Sequence, residues 1–443
     1  MKQIEISAIK ISDNRQRKNF PLPELIELRS SIETLGLLHP IILRVEGELF
    51  VLVAGERRLR AIVEIWDMGS GFKHDNEKVR KDCVPYVLLQ DLDPLDAEEA
   101  EYDENTKRMD LSWQERAEAT SRLESLRRRK AERDGKIPPT LQELTQEVKG
   151  TAGAGRDLQT VHRELVVAKN LHRPEVKEAK SLDEAYKNLK RAEVADKHKE
   201  LAARVGATFS ADQHRLFRAD CTEWLRACPA ETFDVILTDP PYGMGADTFG
   251  DSNGVSNARA HSYTDSYENF KSLMEIFCEQ SFRVAKAESH LYLFCDIENF
   301  FDLRVWLSDS GWDVFRTPLI WHKPGGSRTP WVNGGPQRRY ELCLFARKGK
   351  RLVTKLYGDV LEHGPDSNEG HSAQKPVALY HDLLQRSVRA GDSVLDCFAG
   401  SGPIFPAAHQ LKCRATGVEI DPTSYGIAVK RIEAIKAQIE FGF

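Results

Sequence analysis

The segment that most constrains the fold is the short apolar run Phe233-Asp-Val-Ile-Leu-Thr238, which leads directly into Asp239-Pro240-Pro241-Tyr242. An apolar run of this length is typical of a strand buried inside a sheet. From residue 214 onward such runs alternate with helical stretches, and this alternation predicts an α/β fold. Because α/β folds bind ligands at the carboxyl ends of their strands, the four residues after the run are predicted to lie in a functional site.

The chemistry of those four residues favours an amine as the substrate. Two prolines fix the backbone and remove N–H donors, so the Asp239 carboxylate and the Pro240 carbonyl face outward as acceptors, while the Tyr242 ring offers a stacking face. Two acceptors that draw an aromatic amine toward tetrahedral geometry restore its lone pair for attack on a methyl sulfonium, which requires positioning rather than a strong base. Asp239, Pro240, Pro241 and Tyr242 are therefore predicted to be catalytic, acting on a base flipped out of its duplex.

A second strand and turn predict a nucleotide-like cofactor. The strand Asp392-Ser-Val-Leu-Asp396 leads into Cys397-Phe-Ala-Gly-Ser-Gly402 and a helix beginning near Pro403, and its glycines allow a ligand close to the backbone. A further strand ends in Glu419, an acid placed to bind ribose hydroxyls. The same pattern fits NAD, but the full Gly-x-Gly-x-x-Gly is missing, and the Asp-Pro-Pro-Tyr loop favours S-adenosylmethionine.

The first hundred residues predict a small mixed domain. We expect a helix over about 22–35, strands over 40–45 and 49–53, and a helix that opens after Gly55-Glu-Arg57-Arg58. Backbone N–H groups and arginines at a helix N-terminus form a natural phosphate site. The alternative is a solvated helix face.

Residues 112–205 are highly charged and predict helices. Residues 139–148 and 158–165, joined by a glycine-rich turn, fit a helix-turn-helix DNA-binding unit, and a basic helical spacer is the alternative. Residues 192–211 indicate a charged linker.

Charge is distributed unevenly along the 443 residues. The overall net charge of -5 divides into -6, +5 and -4 over the three predicted parts, and residues 316–355 hold ten Lys and Arg against one acid, Glu341. Such basic regions in an acidic chain are typical of a phosphate-contacting face. A chain of this length predicts two or three domains. The predicted domains are 1–111, a phosphate-binding domain; 112–205, a helical segment with a linker; and 206–443, the α/β catalytic domain.

Two further features bear on location and chemistry. No apolar stretch is long enough for a membrane helix, and the N-terminus lacks a signal-peptide pattern, so a cytoplasmic protein without membrane partners is expected. The eight cysteines lack metal-ligand spacing, which predicts reduced thiols and no metal in the catalytic domain.

The N-terminal motifs resemble the ParB partition family. Gly36-Leu-Leu-His-Pro-Ile41, Ala54-Gly-Glu-Arg-Arg-Leu-Arg-Ala61, Val84-Pro85 and Glu104-Asn105-Thr-Lys-Arg108 stand in that family's order. The resemblance implies a small α+β domain in which CTP and Mg are bound, although sulfiredoxin-like and nuclease-type relatives leave other uses open. The nucleotide contacts that it implies are Gly55, Arg57, Arg58, Glu104, Asn105 and Arg108.

The C-terminal half resembles the β-class DNA amino-methyltransferases, which carry a Rossmann-like S-adenosylmethionine-binding fold. After the Asp-Pro-Pro-Tyr loop come Pro318-Leu-Ile-Trp-His-Lys-Pro324, Arg339-Tyr-Glu-Leu-Cys-Leu-Phe345, His371-Ser-Ala-Gln-Lys-Pro376 and the glycine loop, in the permuted order of that class. The cofactor contacts implied or expected are Asp220, Cys221, Gln374, Lys375, Asp396, Phe398, Gly400, Ser401, Gly402 and Glu419. Basic residues expected to contact DNA are Lys323, Arg328, Arg338 and Arg339.

The combined interpretation is a site-specific DNA adenine-N6 methyltransferase of prokaryotic or phage type, nucleoid-associated, acting on double-stranded DNA and capable of forming a homodimer. An aspartate in the first loop position favours adenine N6, with cytosine N4 as the alternative. RNA or protein amides remain open as substrates, as does a ParB-like CTP-dependent DNA-binding protein with a non-catalytic C-terminal half. A carbon methyltransferase is disfavoured because the chain has no Pro-Cys dipeptide to supply a thiolate.

Overall fold

The computed structural model describes residues 2–11, 22–106, 111–150, 155–242, 267–324, 339–364 and 374–441. The chain divides into two compact units, Met1–Ala192 and Glu193–Phe443. The boundaries of the three predicted domains remain a prediction.

The first unit begins with a small five-stranded sheet. Its strands lie in the order β1-β7-β3-β4-β2, and a separate hairpin joins β5 and β6. The elements of this part are β1 (Gln3–Glu5), β2 (Ile9–Lys10), α1 (Leu22–Leu35), β3 (Ile41–Glu46), β4 (Leu49–Ala54), α2 (Glu56–Asp67), β5 (Lys73–His74), β6 (Glu77–Lys78), β7 (Cys83–Leu88) and α3 (Pro94–Thr106).

Apolar residues at helical and alternating spacing form the core of this part. Ile32 from α1 and Ile62 from α2 pack with Leu43 and Leu52 from the antiparallel pair β3 and β4. The predicted helix over 22–35 and the two predicted strands are confirmed.

Five helices complete the charged segment, and both predicted helix-turn-helix helices are present. They are α4 (Trp113–Arg133), α5 (Leu141–Lys149), α6 (Arg156–Ala168), α7 (Pro174–Lys177) and α8 (Leu182–Val205). Thr140 begins α5 with a capping box in which its side chain and that of Glu143 satisfy each other's backbone N–H groups.

The most basic run of this segment is already paired with acids. Within α4, Arg127 contacts Glu99 at 2.5 Å and Lys130 contacts Asp96 at 2.6 Å, both acids belonging to α3. Arg128 and Arg129 also form ion pairs, with Glu124 and Glu98. Much of the positive charge of α4 is therefore neutralised by the chain itself.

The prediction of a charged linker over residues 192–211 is wrong. Helix α8 continues to Val205, and the first strand of the second sheet, β8, spans Thr208–Ala211. The high charge of this stretch suggested a linker, but the charges alternate with apolar residues as they do in an amphipathic helix. Two of those apolar residues, Leu201 and Ala202, are buried.

The second unit is built on one ten-stranded mixed sheet. The strand order is β15-β13-β14-β11-β10-β16-β17-β9-β8, with β12 paired to β14. The elements are β8 (Thr208–Ala211), β9 (His214–Phe217), α9 (Cys221–Ala227), β10 (Phe233–Thr238), α10 (Tyr267–Val284), β11 (Ala285–Cys295), α11 (Phe300–Asp309), β12 (Asp313–Val314), β13 (Leu319–His322), β14 (Tyr340–Lys348), β15 (Val360–Glu362), α12 (Val377–Gln385), β16 (Ser393–Asp396), α13 (Ile404–Gln410), β17 (Arg414–Val418) and α14 (Pro422–Phe441).

Alternate side chains of the central strand β10 enter two different cores. Val235 packs with Leu379 of α12 and Phe405 of α13. Ile236 packs with Leu225 of α9 and Met274 of α10. Because successive strand residues point to opposite faces, the sheet is covered by helices on both faces, which explains why the β10 sequence is almost wholly apolar and confirms the predicted α/β class.

Two expectations concern membranes and cysteines. No helix within the described ranges is both long enough and apolar enough to span a bilayer. All eight cysteines are buried, and none forms a disulfide.

Candidate active site

The site lies at β10, where the strand order changes direction: β11 is added on one side of it, and β16 and β17 are added on the other. Strand β10 runs parallel to β11 on one side and to β16 on the other, and β16, β17 and β9 continue the parallel array. A crevice forms outside the carboxyl ends of the strands at such a switch point. The loops after β10, β16, β17 and β9 therefore meet at one edge of the sheet.

The loop after β10 is held by three side chains. The Tyr242 hydroxyl donates to Asp239 Oδ1 at 2.8 Å, and the Lys375 ammonium donates to Asp239 Oδ2. Asn299, which is 5% exposed, donates from Nδ2 to the Tyr242 carbonyl at 2.6 Å. Both carboxylate oxygens of the predicted catalytic aspartate thus have a donor in the free protein.

A second carboxylate shares these donors. Glu341 Oε2 lies 3.0 Å from Lys375 Nζ and 3.2 Å from the Tyr242 hydroxyl. Its other oxygen accepts from the Lys323 ammonium. Asp239, Glu341, Tyr242, Lys375 and Lys323 consequently form one network of two carboxylates, two ammonium groups and a phenol, which we call the carboxylate–lysine network.

Ionisation in the network follows the number of cations beside each acid. Burial raises the pKa of Asp239, and the shared Lys375 ammonium only partly opposes that rise. Burial acts in the same direction on Glu341, but Lys375 and Lys323 together bring its pKa down to about 2. Burial tends to lower the pKa of Lys375, yet the two carboxylates raise it. Glu341 is therefore the more firmly ionised of the two acids.

Aromatic rings surround the buried ammonium. Lys375 Nζ lies 5.0 Å from the ring centroid of Phe294, 5.6 Å from that of Tyr242 and 5.9 Å from that of Trp321. The faces of aromatic rings attract cations. The buried Lys375 ammonium beside Asp239 is thus bordered by three aromatic rings.

The strands that carry the two loops are joined by a buried carboxylate. Asp396 Oδ1 accepts from the Thr238 hydroxyl at 2.7 Å and from the Phe398 backbone N–H at 3.1 Å. Burial raises the pKa of Asp396 to about 7. Asp396 therefore fixes the glycine loop to the end of β10, the strand that carries Asp239.

Glu419, the acid predicted to bind ribose, lies beside the glycine loop. Its Oε2 accepts from the Gly400 N–H at 2.7 Å, and its Oε1 accepts from the Asp421 N–H at 2.7 Å. Burial raises its pKa to about 7. Each oxygen keeps a second lone pair, so the carboxylate has acceptor capacity left for ribose hydroxyls.

The two predicted glycines of this loop differ in their surroundings. A Cβ on Gly400, which has φ +53°, meets only the Phe398 carbonyl, at 4.0 Å. A Cβ on Gly402 meets a ring carbon of Phe405 at 2.8 Å and Ala428 at 2.9 Å. Gly400 thus borders open space, whereas the positive φ of +79° and close packing both require a glycine at 402.

The remaining predicted cofactor residues lie on the same edge, with different local contacts. Asp220 caps α9, where its Oδ1 accepts from the Thr222 and Glu223 N–H groups. Cys221 is buried in the first turn of that helix, and Ser401 is buried in the glycine loop. Gln374 directly precedes Lys375 and is half-buried. Phe398 is half-buried, with its ring 6.1 Å from that of Phe277.

The predicted DNA-contacting residues are described only in part. Lys323 belongs to the carboxylate–lysine network, and Arg339 donates to the Lys323 carbonyl at 3.4 Å. Arg328 and Arg338 lie outside the described residues.

The predicted nucleotide site of the first unit is also described in part. Gly55 has φ +102° and precedes α2 as its N-cap. Arg57 is exposed, whereas Arg58 donates to the carbonyls of His39 and Pro40, both at 2.7 Å. Glu104 and Asn105 lie in α3, but their side chains are outside the described set, and Arg108 lies outside the described residues.

Three site residues escaped the sequence analysis: Glu341, Asn299 and Thr238. A signal existed for Glu341, since it is the one acid in the basic stretch 316–355. A lone acid among ten cations is expected to have a specific partner. Asn299 and Thr238 carried no comparable signal because their roles depend on residues far along the chain.

Comparison with known families agrees with both resemblances. Residues 233–430 match the N6/N4 methylase family, described as DNA methylase. Residues 1–66 match the ParB N-terminal domain. The chain therefore combines a DNA methylase domain of the N6/N4 amino-methyltransferase type with a ParB N-terminal domain.

Similar proteins correspond to about half of this chain. It is 28% identical over 232 residues to the putative methylase YubD of Escherichia coli K12, covering 52% of this chain and 94% of that protein. It is 23% identical over 252 residues to the type II methyltransferase M.HinfI of Haemophilus influenzae, covering 50% and 68%.

Solved structures of DNA methylases also align over about half of this chain. One is a putative DNA modification methylase from Thermus thermophilus complexed with S-adenosyl-L-methionine, at 22% identity, TM-score 0.38 and coverage of 50% of this chain and 94% of that chain. Another is the cytosine-N4-specific PvuII DNA methyltransferase, at 17% identity, TM-score 0.38 and coverage of 53% and 95%.

Proposed function

We propose that the second unit transfers the methyl group of S-adenosylmethionine to the N6 amine of adenine in double-stranded DNA. The observation that carries this proposal is the meeting of the Asp239-Pro240 acceptors with Gly400 and Glu419 at one edge of the sheet, linked through the Thr238–Asp396 hydrogen bond. An amine acceptor and a ribose-type acid on adjacent strand ends suit a methyl transfer between two nucleotide-like molecules.

The residues present fit the cofactor. Gly400 leaves open space beside the loop, and Glu419 has lone pairs for two hydroxyls. When bound, S-adenosylmethionine supplies a methyl group on a positively charged sulfur. The ten cofactor contacts predicted from the sequence remain part of this proposal.

Asp239 and Pro240 orient the target amine. Their oxygens accept its two N–H bonds, so the nitrogen lone pair is directed away from them toward the methyl carbon. Methyl transfer would form a nitrogen–carbon bond as the carbon–sulfur bond of the bound cofactor breaks, the bonding pair would stay on sulfur, and the extra proton on nitrogen would pass to water. Tyr242 stacks on the base, which is flipped out of the duplex. Positioning and a preorganised polar site supply the rate enhancement.

The choice of adenine depends on Asp239 as the first residue of its loop. A direct test incubates the full chain with radiolabelled S-adenosylmethionine and unmethylated duplex DNA, followed by digestion to nucleosides. Label in N6-methyladenine supports the proposal. Label in N4-methylcytosine retains the mechanism and overturns the base, and absence of label on DNA overturns the proposed function.

We further propose that the ParB domain binds CTP with Mg and assists DNA binding. Gly55 is the N-cap of α2, so the backbone N–H groups of the first turn point toward this end of the helix, and Arg57 beside it is exposed. Arg58 braces the neighbouring carbonyls and shapes the phosphate site. Isothermal titration with CTP and Mg tests this, with Arg57→Ala expected to weaken binding by about tenfold or more through loss of one charge-assisted contact. Equal binding by Arg57→Ala and the wild type would exclude this site.

A further inference from the structure

The free protein presents an obstacle to the proposed reaction. Asp239 accepts from Tyr242 on one oxygen and from Lys375 on the other. A charged ammonium is a stronger hydrogen-bond donor than a neutral amine. For the target amine to reach Asp239, these donors need another acceptor, and Lys375, at 7% exposure, cannot turn to water without leaving the buried site.

Glu341 is placed to be that acceptor. Its Oε2 lies within 3.0 Å of Lys375 Nζ and 3.2 Å of the Tyr242 hydroxyl, so one oxygen is in reach of both donors that Asp239 must release. Its Oε1 is held by Lys323, whose ammonium also lies 4.5 Å from the Trp321 ring centroid. Glu341 is therefore charged, anchored and already in contact with Lys375.

We propose that Glu341 is a positioning residue for methyl transfer, which takes over Lys375 and Tyr242 when the target amine binds Asp239. This inference rests on the proposed function. Only hydrogen bonds are exchanged: Lys375 Nζ shifts from Asp239 Oδ2 toward Glu341 Oε2, and the amine occupies the position that it leaves. The rings of Phe294, Tyr242 and Trp321 keep the ammonium in favourable surroundings during the exchange.

Glu341→Gln tests the role of the charge at nearly constant shape. Without that carboxylate, Lys375 has Asp239 as its sole charged partner in the described network, so the ammonium stays on the catalytic acid. We expect the single-turnover rate of methyl transfer to DNA to fall on the order of 10²-fold, the size of effect known for misplaced reacting groups. The dissociation constant for S-adenosylmethionine should change by less than about twofold, since Glu341 is not among the predicted cofactor contacts and its proposed role begins when the target amine binds.

The conservative variant distinguishes a positioning role from a merely structural one. Glu341→Asp keeps the charge and should recover about a tenth or more of the wild-type rate, because attraction to Lys375 is restored at a longer distance. Glu362→Gln is the matched control: it removes an exposed carboxylate of the neighbouring strand β15, paired with His322 at 3.1 Å, and should leave the rate unchanged. Melting temperatures of all variants monitor folding.

Each outcome decides the question. A rate within about threefold of wild type for Glu341→Gln overturns the inference. So does equal inactivity of the Gln and Asp variants, or a loss of S-adenosylmethionine binding that parallels the loss of rate. If the wild type methylates DNA and Glu341→Gln is equally active, only the positioning role of Glu341 is overturned. If the wild type does not methylate DNA, the proposed function and the role of Glu341 are both overturned.

Discussion

Alanine substitution at two glycines of one loop separates packing from cofactor binding. Gly402 has φ +79°, and a Cβ there would lie 2.8 Å from Phe405 Cδ2 and 2.9 Å from Ala428 Cβ. The left-handed backbone costs a non-glycine residue about 1–2 kcal/mol, and overpacking adds about 1–3 kcal/mol. We expect Gly402→Ala to lower the free energy of unfolding of the second unit by about 2–5 kcal/mol.

Gly400→Ala should weaken cofactor binding and lower the free energy of unfolding less than Gly402→Ala does. Its φ of +53° carries the same backbone cost of about 1–2 kcal/mol, but its Cβ would meet nothing closer than 4.0 Å. The added methyl group would instead enter the space that we propose for the cofactor. Steric conflict of about 1–3 kcal/mol corresponds to roughly 5- to 150-fold weaker binding of S-adenosylmethionine.

Thermal unfolding and isothermal titration of the full chain measure the two effects. For a unit of this size, each kcal/mol shifts the melting temperature by about 2–4 °C, so Gly402→Ala should melt about 4–20 °C lower and Gly400→Ala about 2–8 °C lower. Gly391→Ala, also at positive φ but with nothing within 4 Å of its Cβ, isolates the backbone contribution. Equal melting temperatures of Gly402→Ala and Gly391→Ala would refute the packing role of Gly402. Binding of the cofactor by Gly400→Ala as tightly as by the wild type would refute the role proposed for Gly400.

Three further predictions concern the loops and the core. Asp239→Ala should abolish methyl transfer, by about 10³-fold or more, because an acceptor for the amine is lost; retention of CTP binding in a titration is its control, and undiminished labelling of DNA would contradict the proposed site. Glu419 has a pKa raised to about 7 by burial, so its ionised, hydroxyl-accepting form predominates only above that pH. Affinity for S-adenosylmethionine should therefore weaken as pH falls from 8 to 6, by up to about tenfold per unit below 7, and titrations of Glu419→Gln should lack this dependence; a pH-independent wild type would argue against the ribose role. Leu237→Ala, at a fully buried position of β10, should lower the free energy of unfolding by about 2–5 kcal/mol, measured by urea denaturation, and a loss below about 1 kcal/mol would show that this core relaxes around the cavity.

Local sequence patterns predicted most helices and strands of the described residues and the chemistry of single loops. Apolar runs such as Phe233–Thr238 become strands, and the helices of the charged segment begin at capping residues such as Thr140. These features follow from side-chain periodicity and from hydrogen bonding within a few residues, so the local sequence predicts them. The hydrogen-bond acceptors of Asp239 and Pro240 are predictable for the same reason, because they belong to two adjacent residues.

Which loops meet and which charges pair could not be predicted from local patterns, because these contacts join residues far apart in the chain. Lys375 contacts Asp239 across 136 positions, and Thr238 contacts Asp396 across 158. The first contact depends on the packing of α12, which begins two residues after Lys375, near β10, and the second depends on the placement of β10 beside β16. Such packing and sheet order are set by non-local contacts rather than by any segment's own pattern. The family resemblance implied Lys375 as a cofactor contact, which stays a prediction, and its position beside Asp239 and Glu341 became visible only in the tertiary structure.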